Sequence, residues 1–161
     1  MNCNDLVSDT IIRIKNALLT KSSFVCIPQT DLTLAIIKVL KQEGFIESFS
    51  FGFPIKKLVY VLVKLKYKGI KQAPIITNIK RISTPSSRIY FKVSKLEKLA
   101  GGVSVYILST SQGILTDRLA KLKRVGGEVL FLISSFIFVL GWVSLCFIVF
   151  YESSFFNSSN L

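Results

Sequence analysis

The stretch IIKVLKQEGFIESFSFGFPIKKLVYVLVKLKYK, residues 36–68, contains the change of hydrophobic spacing that decides the fold. Before Gly44 the apolar residues recur at intervals of three and four, which predicts one buried face of a helix. After Gly44, and most clearly over Val59–Tyr67, they alternate with lysines, which predicts a half-buried strand whose lysine face is solvated at a sheet edge. A helix followed directly by strands indicates an α+β protein.

Upstream of this stretch, the sequence predicts another helix and another strand. Apolar residues recur on one face of Leu6–Leu19, and residues 24–27 form a short apolar run that Pro28 stops. Thr30 or Asp31 can cap the helix that runs into Gly44. We therefore expect residues 1–70 to form an N-terminal α/β domain of order α-β-α-β-β, an antiparallel meander packed against two helices.

Downstream, residues 69–74 are typical of a linker, with Gly and Pro at its ends. We expect residues 75–134 to form a second small α/β domain, mostly β with short helices. Ser94 and Thr116 can cap these helices, and Ser109–Gly113 forms a polar loop between elements. The predicted strands cover residues 78–84, 88–93 and 103–108, with a last strand from Glu128.

The charge of the chain is strongly unbalanced, with 21 Lys and Arg against 9 Asp and Glu. The first 134 residues carry 21 of the basic and 8 of the acidic groups, a net charge of +13. A polyphosphate partner favours such a bias because neutralised phosphates release counterions, and an anionic membrane surface favours it too. Composition therefore points to nucleic acid first and to a membrane second.

Catalytic and metal chemistry lack their usual residues in this chain. Histidine, the commonest general base and metal ligand, is absent. Cys3, Cys26 and Cys146 are isolated in the sequence, which argues against a zinc site or a disulfide framework and suits a reducing compartment. We therefore predict a protein that is not an enzyme and has neither a cofactor nor a metal.

A long apolar stretch lies near the end of the chain, where Val129–Tyr151 contains no charged residue. That length can cross a bilayer. Residues 135–161 are predicted to be a hydrophobic extension, possibly helical. It could contact a membrane through residues 134–151, dock on a partner, or be a late addition with no role. The alternative function is accordingly a small membrane-anchored basic protein that binds anionic lipid or nucleic acid.

Four blocks of sequence resemble one known family, in order and in spacing. They are STSQGILTDR at 109–118 with GGEV at 126–129, DTIIRIKN at 9–16, LKQEGFIE at 40–47, and KRISTP at 80–85 with RIY at 88–90. Over about residues 3–133 the chain resembles small-subunit ribosomal protein eight of the bacterial and plastid type. The apolar extension after Ser134 has no counterpart in that family.

The resemblance implies a structural protein of the small ribosomal subunit, in contact with neighbouring ribosomal proteins. It would bind the central domain of the small-subunit rRNA directly and help this domain assemble. Ile, Phe, Lys and Asn are used heavily, which suggests an A/T-rich genome and favours a plastid ribosome as the location. The bacterial cytoplasm is the alternative.

The resemblance also implies which residues contact RNA. Hydroxyls can meet base edges and the ribose 2′-hydroxyl, whereas Arg and Lys meet phosphates and set the register. The residues of the Ser-Thr-Ser loop and the glutamate after the paired glycines are Ser109, Thr110, Ser111 and Glu128. The residues expected at the RNA backbone are Arg13, Lys15, Asn16, Arg88 and Tyr90. Tyr90 could instead pack in the core, and Glu128 could be structural.

Overall fold

The computed structural model describes residues 5–52, 59–69, 72–98 and 104–135. The helices in these ranges are α1 (Leu6–Leu19), α2 (Asp31–Gln42), α3 (Val93–Lys98) and α4 (Asp117–Leu122). The strands are β1 (Phe24–Pro28), β2 (Ile46–Phe51), β3 (Tyr60–Leu65), β4 (Tyr67–Lys68), β5 (Ala73–Pro74), β6 (Ile76–Arg81), β7 (Tyr90–Phe91), β8 (Ser104–Thr110), β9 (Gly113–Thr116) and β10 (Gly127–Ser135). The α+β class and the first five elements, α-β-α-β-β, are confirmed.

Side-chain caps fix where the two long helices begin. The Asp5 carboxylate accepts hydrogen bonds from the backbone N–H groups of Val7 and Ser8, at 3.1 and 3.2 Å, and so starts α1. Thr30 and Thr33 exchange side-chain and backbone hydrogen bonds in a capping box at α2. Such caps satisfy backbone donors that have no partner inside the helix.

The first sheet has the strand order β1-β3-β2 and is antiparallel. Val63 of β3 lies opposite Val25 on one side and Phe49 on the other. The predictions of a meander and of an edge position for β3 are therefore wrong, because β3 lies in the centre. Its alternating burial is as predicted, since side-chain alternation depends on which face is covered and not on how many neighbours a strand has.

The second sheet has the order β6-β10-β8-β9, and β7 pairs with the beginning of β10. Its central strand β10 is nine residues long and antiparallel to both of its neighbours. The strand predicted over residues 88–93 is shorter than expected, because α3 already begins at Val93. Strand β9 was not predicted at all.

One hydrophobic cluster runs through both halves of the chain, from the two long helices to the second sheet. Among its members are Ile14 of α1, Ile36 of α2, Ile79 of β6 and Phe131 of β10. A smaller cluster on the other face of the second sheet contains Leu96, Leu108, Leu115, Ala120 and Val129. The core is continuous across the predicted linker, and the division into domains at residues 70–75 stays a prediction.

The apolar C-terminal stretch is divided by the end of β10. Residues 129–135 belong to this strand, which runs two residues past the Val129–Ile133 strand that the family resemblance implied. No helix within the described ranges has the length and apolar character needed to cross a bilayer. The predicted helical extension, residues 136–161, lies outside the described residues.

Candidate nucleic-acid interface

The β8–β9 hairpin carries the Ser-Thr-Ser sequence. Ser109 and Thr110 are the last residues of β8, so the predicted loop starts too early, and the turn itself consists of Ser111 and Gln112. The Thr110 hydroxyl donates to the Gly113 carbonyl oxygen at 2.9 Å and accepts from the Gln112 N–H at 3.2 Å. Thr110 therefore holds the turn, and Ser111 is left exposed at its tip.

The beginning of β10 aligns three of the predicted contact residues in one row. Glu128 lies directly opposite Ser109 of β8 and directly opposite Tyr90 of β7. Residues that lie opposite each other in a sheet project from the same face. The Tyr90 side chain is largely solvent-exposed, which contradicts a core position for it. A hydroxyl, a carboxylate and an open aromatic ring thus share one face.

Arg88 completes this row through an ion pair. Its Nη1 donates to Glu128 Oε2 at 2.8 Å. The Glu128 side chain is 13% exposed, whereas the Arg88 side chain is 57% exposed. The hydrogen bond from Arg88 to Glu128, together with the carboxylate charge, raises the pKa of Arg88. This ion pair gives a role to an acidic residue in a basic protein. Glu128 orients Arg88, and its carboxylate can still accept further hydrogen bonds.

A pocket of about 280 Å³ opens beside this row. Its wall includes Ser109, Glu128 and Arg88 from the second sheet and its connections, and the start of α1 at Asp5. Arg81 of β6 joins the two parts, since its Nη2 lies 3.0 Å from Asp5 Oδ2 and both side chains are only 19% exposed. The pocket therefore lies where α1 meets the second sheet.

Arg81 is a pocket residue that the sequence analysis did not select. Its Nε donates to the Ser83 carbonyl oxygen, and its Nη1 is buried without a hydrogen-bond partner in the part of the chain that the structure describes. A charged donor of this kind suits a phosphate or a base acceptor. The signal in the sequence is the adjacent Lys80-Arg81 pair, which begins the KRISTP block but is not among the residues expected to contact RNA.

The Asp5 carboxylate remains ionised beside Arg81. Burial alone would raise its pKa, but hydrogen bonds from the Ser8 side chain and from the backbone N–H groups of Ser8 and Val7, with the charge of Arg81, hold the pKa below its ordinary value. The same carboxylate thus caps α1 and balances the charge of the buried guanidinium.

Three predicted contact residues lie farther along α1 and do not join the pocket. Arg13 is eight residues after Asp5, roughly 12 Å along the helix axis. Its Nε pairs with Asp9 at 2.8 Å, and its Nη1 donates to the Cys26 carbonyl oxygen at 3.3 Å. Lys15 and Asn16 are exposed on the next turn. The structure therefore arranges the predicted residues in two groups.

The comparisons with known proteins all point to one family. A family model described as ribosomal protein S8 matches residues 5–133. The chain is 46% identical to small ribosomal subunit protein uS8c of Euglena gracilis over 137 residues, which cover 80% of this chain and 96% of that protein. It is also 46% identical to uS8 of Gloeothece citriformis, with 81% of this chain and 97% of that protein covered. The uS8c of Anthoceros angustus is 46% identical over 79% of this chain and 96% of its own length.

Proposed function

Because the chain belongs to the ribosomal protein S8 family, we propose that it is a structural constituent of the small ribosomal subunit that binds the central domain of the small-subunit rRNA directly. In this role it helps that domain assemble and lies beside other small-subunit proteins. Relatives from plastids and cyanobacteria support a plastid or bacterial ribosome, and we favour the plastid. The observation that carries the proposal is the row of Ser109, Glu128 and Tyr90 beside a pocket with two arginines.

Affinity and specificity come from different residues in this proposal. The net charge of +12 supplies salt-dependent attraction to phosphates, in which Arg13 and Lys15 take part. Ser109 and Ser111 bond base edges and ribose 2′-hydroxyls, which distinguish RNA from DNA. Tyr90 offers a face on which a base can stack.

The pocket adds a place for a phosphate or a base edge. Arg88 is oriented by Glu128, and the free Nη1 of Arg81 can donate to an acceptor from the RNA. The Arg81 Nη1 group is already buried and has no hydrogen-bond partner in the described residues. A hydrogen bond to RNA would therefore satisfy this donor without first removing water from it. The binding of RNA is therefore expected to be strongest where an acceptor fits this pocket.

The test is binding of the full chain to a hairpin from the central domain of the small-subunit rRNA, with an unrelated RNA duplex as control, at two salt concentrations. A preference for the hairpin that persists at the higher salt supports the proposal. Equal binding to both RNAs that disappears at the higher salt would show a merely basic protein and contradict it.

The membrane-anchored alternative is distinguished by fractionation. A ribosomal constituent co-sediments with small subunits after detergent treatment of the organelle. A membrane-anchored protein instead leaves the subunit fraction when detergent dissolves the membranes. The uncharged residues 136–151 are the reason for making this measurement.

A further inference from the structure

A second, smaller pocket lies between α1 and the strands β5 and β6, with a volume of about 130 Å³. Most of its lining is apolar, with Leu18 and Leu19 from α1 and Pro74, Ile76 and Ile79 from the strands; its polar lining consists of Lys15, Thr77 and Asn78. Leu19 is 75% exposed at this site. We call this feature the α1–β6 groove. Covering it would remove apolar surface from water, which is favourable.

Strand β10 ends at this groove. Ser135, its last residue, is the antiparallel partner of Ile76, which lines the groove. The hydroxyl of Thr77, another lining residue, donates to the Ser134 carbonyl oxygen at 2.9 Å. Ser135 itself is buried, and its hydroxyl has no hydrogen-bond partner in residues 104–135 or the other described ranges. Ser135, the last described residue of β10, therefore lies beside the groove in which Leu19 is exposed.

The segment that follows has the composition to cover that surface. Residues 136–140 are Phe-Ile-Phe-Val-Leu, and no charged residue occurs before Glu152. Five extended residues reach about 16 Å. Residues 136–151 form only 16 uncharged positions once β10 has taken residues 129–135. As a helix these would extend about 24 Å, less than the ~30 Å of a bilayer core.

We propose that residues 136–151 dock on the α1–β6 groove of their own chain and cover Leu19. The groove lies at the opposite end of β10 from Glu128, and of the residues expected to contact RNA only Lys15 lines it. Seven residues of strand separate Glu128 from Ser135, roughly 23 Å. The docked segment therefore leaves the row of Ser109, Glu128 and Tyr90 accessible to RNA.

Trp142, the only tryptophan of the chain, reports on the segment directly. In the full-length chain we expect blue-shifted emission and weak quenching by acrylamide, both independent of protein concentration. Leu19→Lys places a charge in the groove and should red-shift the emission and raise the quenching constant severalfold. Leu122→Lys is the matched control, because Leu122 is also the last residue of its helix and is 81% exposed.

Each other outcome overturns the proposal. The groove is not occupied by this segment if Trp142 in the unmutated chain emits like an exposed tryptophan. The same conclusion follows if Leu19→Lys and Leu122→Lys change its emission and quenching equally. Shielding that grows with concentration, together with dimers in sedimentation velocity, would assign the segment to a second copy. Shielding that appears only with vesicles of phosphatidylcholine and phosphatidylglycerol would assign it to a membrane. Circular dichroism of both variants verifies that α1 and α4 remain folded.

Discussion

The two ends of the pair α1 and β10 differ sharply in chemistry. Where α1 begins and β10 begins, Asp5, Arg81, Arg88 and Glu128 form ion pairs around a polar pocket. Where both elements end, the α1–β6 groove is mostly apolar and Leu19 is exposed. Contacts at the charged end weaken with salt, whereas burial at the apolar end does not depend on charge. The pair α1 and β10 thus has a charged surface at one end and a mostly apolar surface at the other.

The largest effect is expected where the charged end is packed most tightly. A side chain at Gly127 would meet the Ser109 carbonyl oxygen and lie 2.9 Å from Thr110 Cγ2. Because backbone atoms there cannot move aside, Gly127→Ala should lower the free energy of unfolding by roughly 3 kcal/mol and separate β8 from β10. Thermal unfolding and RNA affinity measure both consequences.

The control for this change is Gly44→Ala. Gly44 has φ +77° and an added Cβ has no neighbour within 4 Å, so only the left-handed backbone is strained. That strain costs about 1–2 kcal/mol and should leave RNA affinity unchanged. Similar losses of RNA affinity in the two variants would mean that the alignment of Ser109 with Glu128 is not what RNA binding requires.

The next largest effect tests the partly buried ion pair between Asp5 and Arg81. Asp5→Asn keeps a good helix cap but removes the charge that faces Arg81, and should cost about 2 kcal/mol of stability at neutral pH. The pKa of Asp5 is lowered on folding, so this stabilisation is complete above the ordinary value of 3.8 and is lost as the pH falls through the lowered pKa. The free energies of unfolding of the wild-type protein and of Asp5→Asn, measured in urea, should therefore converge in acid.

Asp9→Asn provides the comparison on the same helix. Asp9 pairs with Arg13 at 2.8 Å, but the Arg13 side chain is 39% exposed. Solvent screening limits such a pair to about 0.5 kcal/mol. If Asp9→Asn destabilised the protein as much as Asp5→Asn, burial of the Asp5–Arg81 pair would not be the source of its strength.

A smaller effect is expected from removing one hydroxyl of the row. Ser109→Ala should weaken binding of the rRNA hairpin by about 1–2 kcal/mol and reduce its preference over other RNAs. Ser50→Ala on the exposed side of β2 is the matched control and should change neither quantity. Filter binding measures the ratio of the affinities for the rRNA hairpin and for an unrelated RNA. If Ser109→Ala leaves this ratio unchanged, Ser109 is not a specificity residue.

The smallest effect concerns α1 between its two ends. Arg13→Ala should weaken all RNAs alike and reduce the dependence of log affinity on log salt by about one unit. Its stability should change by no more than about 0.5 kcal/mol, because its ion pair is exposed. Affinities measured over a salt series decide this, and a selective loss for the hairpin would make Arg13 a specificity residue.

Local spacing predicted the elements well where one face of each is buried. The caps at Thr30 and Thr116 and the helical face of Leu6–Leu19 are as expected. Strand β9 was missed because Gly113–Thr116 is too short to show a period. The central position of β3 was missed because alternation is the same in edge and central strands.

The site was only partly predictable, for a different reason. The resemblance supplied Ser109, Arg88 and Glu128, which the structure brings together. Arg88 and Glu128 are 40 residues apart, and Asp5 and Arg81 are farther apart still. No local pattern contains such pairs, because they arise only from the pairing of strands in the second sheet and the packing of α1 against β6. Arg81 therefore became visible as a pocket residue only in three dimensions.

The position of β10 has a consequence for the order in which the protein can fold during synthesis. Strand β10 is the last of the described strands to be made, yet it lies between β6 and β8. The second sheet therefore stays open, with two unsatisfied strand edges, until residue 135 has emerged.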